Sequence, residues 1–160
     1  MTMVVSERML KWALCLYPPL LLQRIWVVKI DKGFRGIYVK INRSFLNVNY
    51  NKSIFGGTIF SAADPFYPVL FHQILSKKGY KLQVWSKSSS IHYIKPGLSD
   101  LYFKINITDD DIATVESVLN TEGKYMAHHP IDIYNKDGEV CVSVMNEIYL
   151  RNLNFTDTSL

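Results

Sequence analysis

An α+β fold, with one antiparallel sheet of five strands wrapped around a long central helix, is what this 160-residue chain predicts, and three observations predict it. From about residue 55 to 76 the chain is apolar nearly all round, as a helix buried on every side must be. Beyond residue 80, four long stretches alternate apolar and polar residues with a period of two, the mark of half-buried strands. Pro96-Gly97 and Asn135-Lys136-Asp137-Gly138 supply turns that return such strands antiparallel.

Taken in order, Ser6 can cap a first helix opened by Glu7 and Arg8, in which Met9, Trp12, Ala13 and Leu16 fall on one face. Pro18-Pro19 ends it. Leu20 to Val28 reads as a second helical or irregular segment that covers the sheet, so a helical N-terminal part spans about 6–28 and a core about 33–151 of a single domain, 1–160. After the turn Asp31-Lys32-Gly33, residues 34 to 41 set Ile37, Val39 and Ile41 on one face and form the first strand. A loop over 42 to 54 enters the long helix, which Lys77-Lys78-Gly79 closes with the cations and glycine that suit a helix C-terminus. Pro65, with Pro68, predicts a kink just past Asp64, because proline brings no N–H to the helical ladder. Strands follow over 81–95, 98–107, 124–134 and 139–151. Before the third of these, Thr108 caps a short inserted helix with Asp109, Asp110 and Asp111 in its first turn.

Composition narrows the function. With 48% hydrophobic and 13% aromatic residues the chain fills a substantial core, and a formal charge of +4 is mild. Lys77, Lys78, Lys81, Lys87 and Lys95 are the nearest thing to a basic cluster, a solvated face that would also favour the phosphates of a CoA-like ligand. No phosphate loop, dinucleotide fingerprint or DNA-binding helix pair is present, so no nucleic-acid partner is predicted. Cys15 and Cys141 lie far apart with no second cysteine beside either, which predicts reduced thiols in a cytoplasm. His128 and His129 are adjacent and would point to opposite faces of a strand, so no metal is expected. The apolar run Trp12 to Leu22 is too short to span a bilayer and has no cleavage site, so no membrane partner is predicted either. Nucleophilic serine chemistry finds no elbow motif around Ser86, Ser88, Ser89 and Ser90; these small positions leave room beside a ligand or a subunit seam.

Chemistry concentrates between Asn49 and Asp64. Gly56 and Gly57 stand at a helix entrance, where a ligand can approach unpaired backbone N–H groups at the positive end of the helix dipole. Asp64, seven residues past Gly57, lies about two turns or 10 Å further along. One small reacting group is too short to touch both, so a symmetric dimer is implied in which each copy supplies one end. Each residue has a plainer alternative: the glycines can serve close packing, Asn49 a turn, and Asp64 a cap or an ion pair with a lysine.

This stretch resembles the hot-dog-fold acyl-CoA thioesterase superfamily, in particular its phenylacetyl-CoA-type branch, where an Asn, a loop, His-Gly-Gly and a helix with Asp seven residues after the second Gly recur. Asn49, Gly56, Gly57 and Asp64 match that spacing. The Ala-Ala-Asp-Pro run and the later Tyr-Ile-Lys-Pro segment are similar to a small bacterial subgroup of that fold without an assigned substrate. The resemblance implies that the Gly57 amide polarises a thioester carbonyl, that Asp64 is nucleophile or base, and that Asn49 positions the reacting groups. It further implies an acyl-CoA or aryl-CoA substrate, with CoA as part of that substrate and no separate cofactor, and a homodimer or tetramer. Gly56, Phe55, Phe60, Tyr67 and Ser88 are the expected substrate-binding positions. Three departures stand out: Phe55 replaces the His, Lys52 a common loop glycine, and Pro68 a hydroxyl residue one turn past the acid. They keep open a second reading, a non-catalytic acyl-ligand binder or sensor. A dehydratase-like chemistry is disfavoured by the missing His.

Overall fold

The computed structural model describes residues 5–156. Its elements are α1 (Glu7–Leu16), α2 (Pro18–Leu22), β1 (Ile25–Ile30), β2 (Gly36–Ile41), α3 (Gly56–Ala63), α4 (Phe66–Lys77), β3 (Leu82–Tyr93), β4 (Leu101–Asn106), α5 (Asp109–Thr121), β5 (Lys124–Asn135) and β6 (Val140–Asn152). The strands make one antiparallel sheet in the order β1-β2-β4-β5-β6-β3, which leaves β1 and β3 at its edges.

The sheet therefore has six strands where the sequence predicted five. The sixth is β1, cut from the segment predicted as a helical or irregular cover over Leu20 to Val28. Ile25, Val27, Val28 and Ile30 are β-branched, and such side chains fit a pleated half-buried surface better than a helix. A tight turn at Lys32–Phe34 returns β1 onto β2, pairing Val27 with Val39 and Ile25 with Ile41. In α1 the buried side chains are Leu10, Leu14 and Cys15, and the face of Met9, Trp12, Ala13 and Leu16 is turned to solvent.

The central helix has the predicted length and is interrupted where the kink was predicted, Asp64 and Pro65 keeping helical dihedrals across it. α3 stops at Ala63 and α4 restarts at Phe66, with Asp64 and Pro65 between them. Proline lacks the N–H that would continue the ladder, and its ring excludes the preceding turn. Below the break, Phe66, Leu70, Phe71 and Leu75 of α4 are fully buried with Val39 of β2, Phe103 and Ile105 of β4, and Val142 and Ile148 of β6. The Phe66 and Phe103 rings lie 5.9 Å apart. Beside the C-terminus of α4, where Lys78 pairs with Glu116, α5 buries Ile112, Val115 and Leu119, and its start is a capping box in which Thr108 Oγ1 accepts from Asp111 N and Thr108 N donates to Asp111 Oδ2. Among the described residues no helix is long and apolar enough to cross a membrane.

Candidate functional site

The 42–54 loop is built to present the first turn of α3. Asn47, nearly fully buried, ties it down: its Nδ2 donates to Gln23 O and Asn42 O, and its Oδ1 accepts from Ser44 N. Phe55 N then donates to Asn47 O at 2.7 Å, and Ile54 N to Gly97 O at 2.9 Å. Lys52, at φ 60°, occupies the left-handed region that explains why glycine suits this position, and the Arg43 guanidinium donates twice to its carbonyl, at 2.7 and 3.1 Å. Asn49 is the turn residue of the plainer reading: Oδ1 accepts from Ser53 N and Ser53 Oγ.

What the loop delivers is a helix tip open on one side. Thr58 N and Ile59 N both donate to Phe55 O, whereas the amides of Gly56 and Gly57 find no acceptor among the described residues. A cleft of about 320 Å³ opens beside Gly56, lined in part by Asn49, Gly56, Ile59, Tyr93 and Lys95, and Gly57 is not part of its lining. Asn49 and Gly56 thus both line this cleft. Tyr93 donates its hydroxyl to Gly56 O at 2.9 Å, and burial raises its pKa, so the phenol stays a donor. A Cβ on Gly56 would collide with that phenol, and one on Gly57 would collide with the Phe55 ring. Close approach favours glycine at both positions, more firmly at Gly56, whose neighbour is hydrogen-bonded, than at Gly57, where the exposed Phe55 ring can turn aside.

Asp64 sits at the other end of α3, exposed, with no ion pair among the described residues. The lysine pairing that the sequence left open does not occur. Two carbonyls stranded by the helix break receive donors from the sheet instead. Asn146 of β6, fully buried, donates Nδ2 to Ala63 O at 2.8 Å and accepts from Ser89 Oγ at 2.6 Å. Ser86 Oγ donates to Asp64 O at 3.0 Å. Both serines can reach inward because β3 carries a bulge. Ser86 pairs with Ile148 and Ser88 with Glu147, so Lys87 is extra and the facing of the strand reverses across it. Even-numbered residues face the helices before Lys87, and odd-numbered ones after it, ending with Tyr93.

This reversal corrects one expected site residue. Ser88 faces away from the helices, its hydroxyl donating to Glu147 Oε2. Tyr67 is corrected too: it is buried, stacked on Phe71, with its hydroxyl donating to Pro130 O and its pKa pushed up to about 12 by burial. It is core. Phe55 and Phe60 are both exposed, on the same stretch as Asp64. Sequence reasoning missed Tyr93 and Asn146. A signal existed for the second, since an asparagine replaces the apolar residue expected in the inward series Val142, Val144, Asn146, Ile148, Leu150.

Comparisons with known proteins agree with this geometry at the level of fold. A family model described as a domain of unknown function, DUF4442, matches residues 6–150. No curated protein matches the chain. A Pseudomonas aeruginosa protein of unknown function, described as a probable thioesterase, superposes with a TM-score of 0.83 at 14% identity, over 95% of this chain and 99% of its own. The thioesterase HI1161 of Haemophilus influenzae gives 0.67 at 12%, over 98% and 97%. The E. coli PaaI protein from the phenylacetic acid degradation operon gives 0.60 at 17%, over 94% and 99%. The fold is the one these solved structures share.

Proposed function

The chain belongs to the DUF4442 family, a domain of unknown function, and on that footing we propose that it binds an acyl-CoA or aryl-CoA thioester at the seam of a homodimer and hydrolyses it. One observation carries the reading: the open amides of Gly56 and Gly57 and the unpaired carboxylate of Asp64 stand at opposite ends of one eight-residue helix. About two turns separate them, so a carbonyl held at the tip meets an acid from a second copy. Exposed Phe55, Phe60, Tyr93 and Ile94 around this helix tip give such a copy, or an acyl chain, apolar surface to cover. The thioesterase names of the neighbours support the class of substrate.

In this reading the Gly57 N–H polarises the thioester carbonyl, and the partner's Asp64 takes a proton from water or attacks directly. With water as nucleophile, oxygen adds to the carbonyl carbon, the C–S bond breaks, and the proton passes to the departing thiolate, leaving a carboxylic acid and free CoA. Asn49, whose Nδ2 makes no hydrogen bond among the described residues, orients the reacting groups. Both cysteines are free and buried, which supports a reducing cytoplasm.

The test is release of free thiol from a panel of acyl-CoA and aryl-CoA esters. Asp64→Asn is expected to lower it by roughly 10² or more while light scattering still reports a dimer. Undiminished turnover in that variant removes the assignment. A second reading, a non-catalytic acyl-ligand binder, is favoured by the Phe55 ring packed against Gly57 where the related motif has His. Thermal stabilisation by acyl-CoA with no thiol released selects it.

A further inference from the structure

The outward side of the N-terminal helices is apolar where a surface helix is ordinarily polar. α1 leaves Met9, Trp12 and Leu16 in solvent, Leu16 at 62% exposure, and Leu22 of α2 follows at 67%. The 42–47 loop belongs to the same end of the molecule, because Asn42 N donates to Arg24 O and Asn47 Nδ2 to Gln23 O, each at 2.9 Å. At its crest Phe45 is 88% exposed.

Charge is distributed to match. Between residues 8 and 63 there are nine lysines and arginines and one acid, Asp31. Asp31 is already paired with Lys29 and Lys104. Glu7, just before, accepts from Gly33 N and pairs with Lys77, and Asp100 pairs with Lys40 and accepts from Arg43 N. Among the described residues Arg8, Lys11 and Arg43 thus form no ion pair, Lys11 lying over the Trp12 ring and the Arg43 guanidinium donating only to the Lys52 carbonyl.

We propose that this face rests on an anionic lipid surface, with Trp12, Leu16, Leu22 and Phe45 entering the boundary between headgroups and acyl chains while Arg8, Lys11 and Arg43 meet lipid phosphates. Tryptophan and leucine on one side of a helix, edged by cations, is the pattern that adsorbs to such a boundary. A second copy is the poorer occupant, since a two-fold axis would set this cationic surface against itself. Nucleic acid would satisfy the cations and leave the leucines and Phe45 in water. The sequence excluded a membrane partner because no segment spans a bilayer; adsorption needs no span.

The experiment sediments the full chain with phosphatidylcholine vesicles, with and without phosphatidylglycerol, at low and raised salt. Pelleting is expected with the anionic vesicles, weakening as salt rises, and falling about ten-fold or more in Trp12→Glu/Leu16→Glu. Phe45→Glu repeats the reading from a separate segment, and unchanged melting temperatures confirm that both variants fold. No pelleting with anionic vesicles, or equal pelleting of the variants, overturns the proposal. A smaller assembly in the variants by light scattering overturns it as well and assigns the face to a second copy. Hydrolysis of a soluble short-chain thioester reads the Gly57 and Asp64 site separately, so the two ideas fail independently.

Discussion

Asn146 shows how much rests on one buried amide. It has no contact with water, and each end of its side chain is committed: Nδ2 to Ala63 O, Oδ1 to the Ser89 hydroxyl. Removing a partner from a buried hydrogen bond leaves the other desolvated and unmet, at a cost of about 1–3 kcal/mol. Asn146→Ala is therefore expected to lower the melting temperature and to reduce kcat more than KM, because Ala63 directly precedes the carboxylate residue. Ser89→Ala, which leaves the bond to Ala63 in place, is expected to lose less of both. Equal melting of Asn146→Ala and the native chain would show that water replaces the amide. At this scale the sequence was partly readable. Gly56, Gly57, Asn49 and Asp64 stood out by spacing, whereas Tyr93 and Asn146 act through partners far away in the chain, 37 and 83 residues off.

Among elements, the bulge in β3 and the break between α3 and α4 are a matched pair. Proline strands carbonyls at the break, and the extra residue Lys87 turns Ser86 and Ser89 toward them. Deleting Lys87 removes the extra residue but leaves Ser86 opposite Ile148 and Ser88 opposite Glu147, so Ser89, Ile91 and Tyr93 keep facing the helices and only the local twist of the bulge is lost. That deletion is expected to retain thioester hydrolysis with a lowered melting temperature from the lost twist, while Lys87→Ala, which keeps the residue count, leaves both near native. Assays of the two variants side by side check it. Period-two patterning made β3 visible as a strand but gave no sign of the reversal, because Ser86 to Ser90 is polar on both faces, with Lys87 and four serines. The same limit explains Ser88. β1 was hidden for a different reason: the residues just before it, Leu20 to Leu22, are helical, and no turn residue marks the change.

For the molecule as a whole, two half-buried imidazoles contribute to acid sensitivity. Burial lowers the pKa of His129 and of His72; near His129 the charge of Asp111 opposes this and His128 adds to it. His129 lies between Tyr67 and Phe71, 4.8 and 5.3 Å from their rings, with Nε2 buried and without a hydrogen bond. The unfolded chain then binds protons that the folded one refuses, so stability is full above the ordinary imidazole pKa of 6.5 and falls as pH drops beneath it. Melting curves across that range are expected to show the decline, and His129→Phe to flatten it; an unaltered slope would remove His129 as its source. The depressed carboxylates Glu7 and Asp31 act only at lower pH, below their ordinary values of 4.5 and 3.8. The general plan, helices laid on an antiparallel sheet, followed from hydrophobic period alone, since burial dictates it. One of its margins has a consequence of its own. β3 is twelve residues long and bonded on a single side, to β6, so a row of idle amides and carbonyls lies along its free flank. Any circumstance that bares this flank invites a foreign strand to zip onto it.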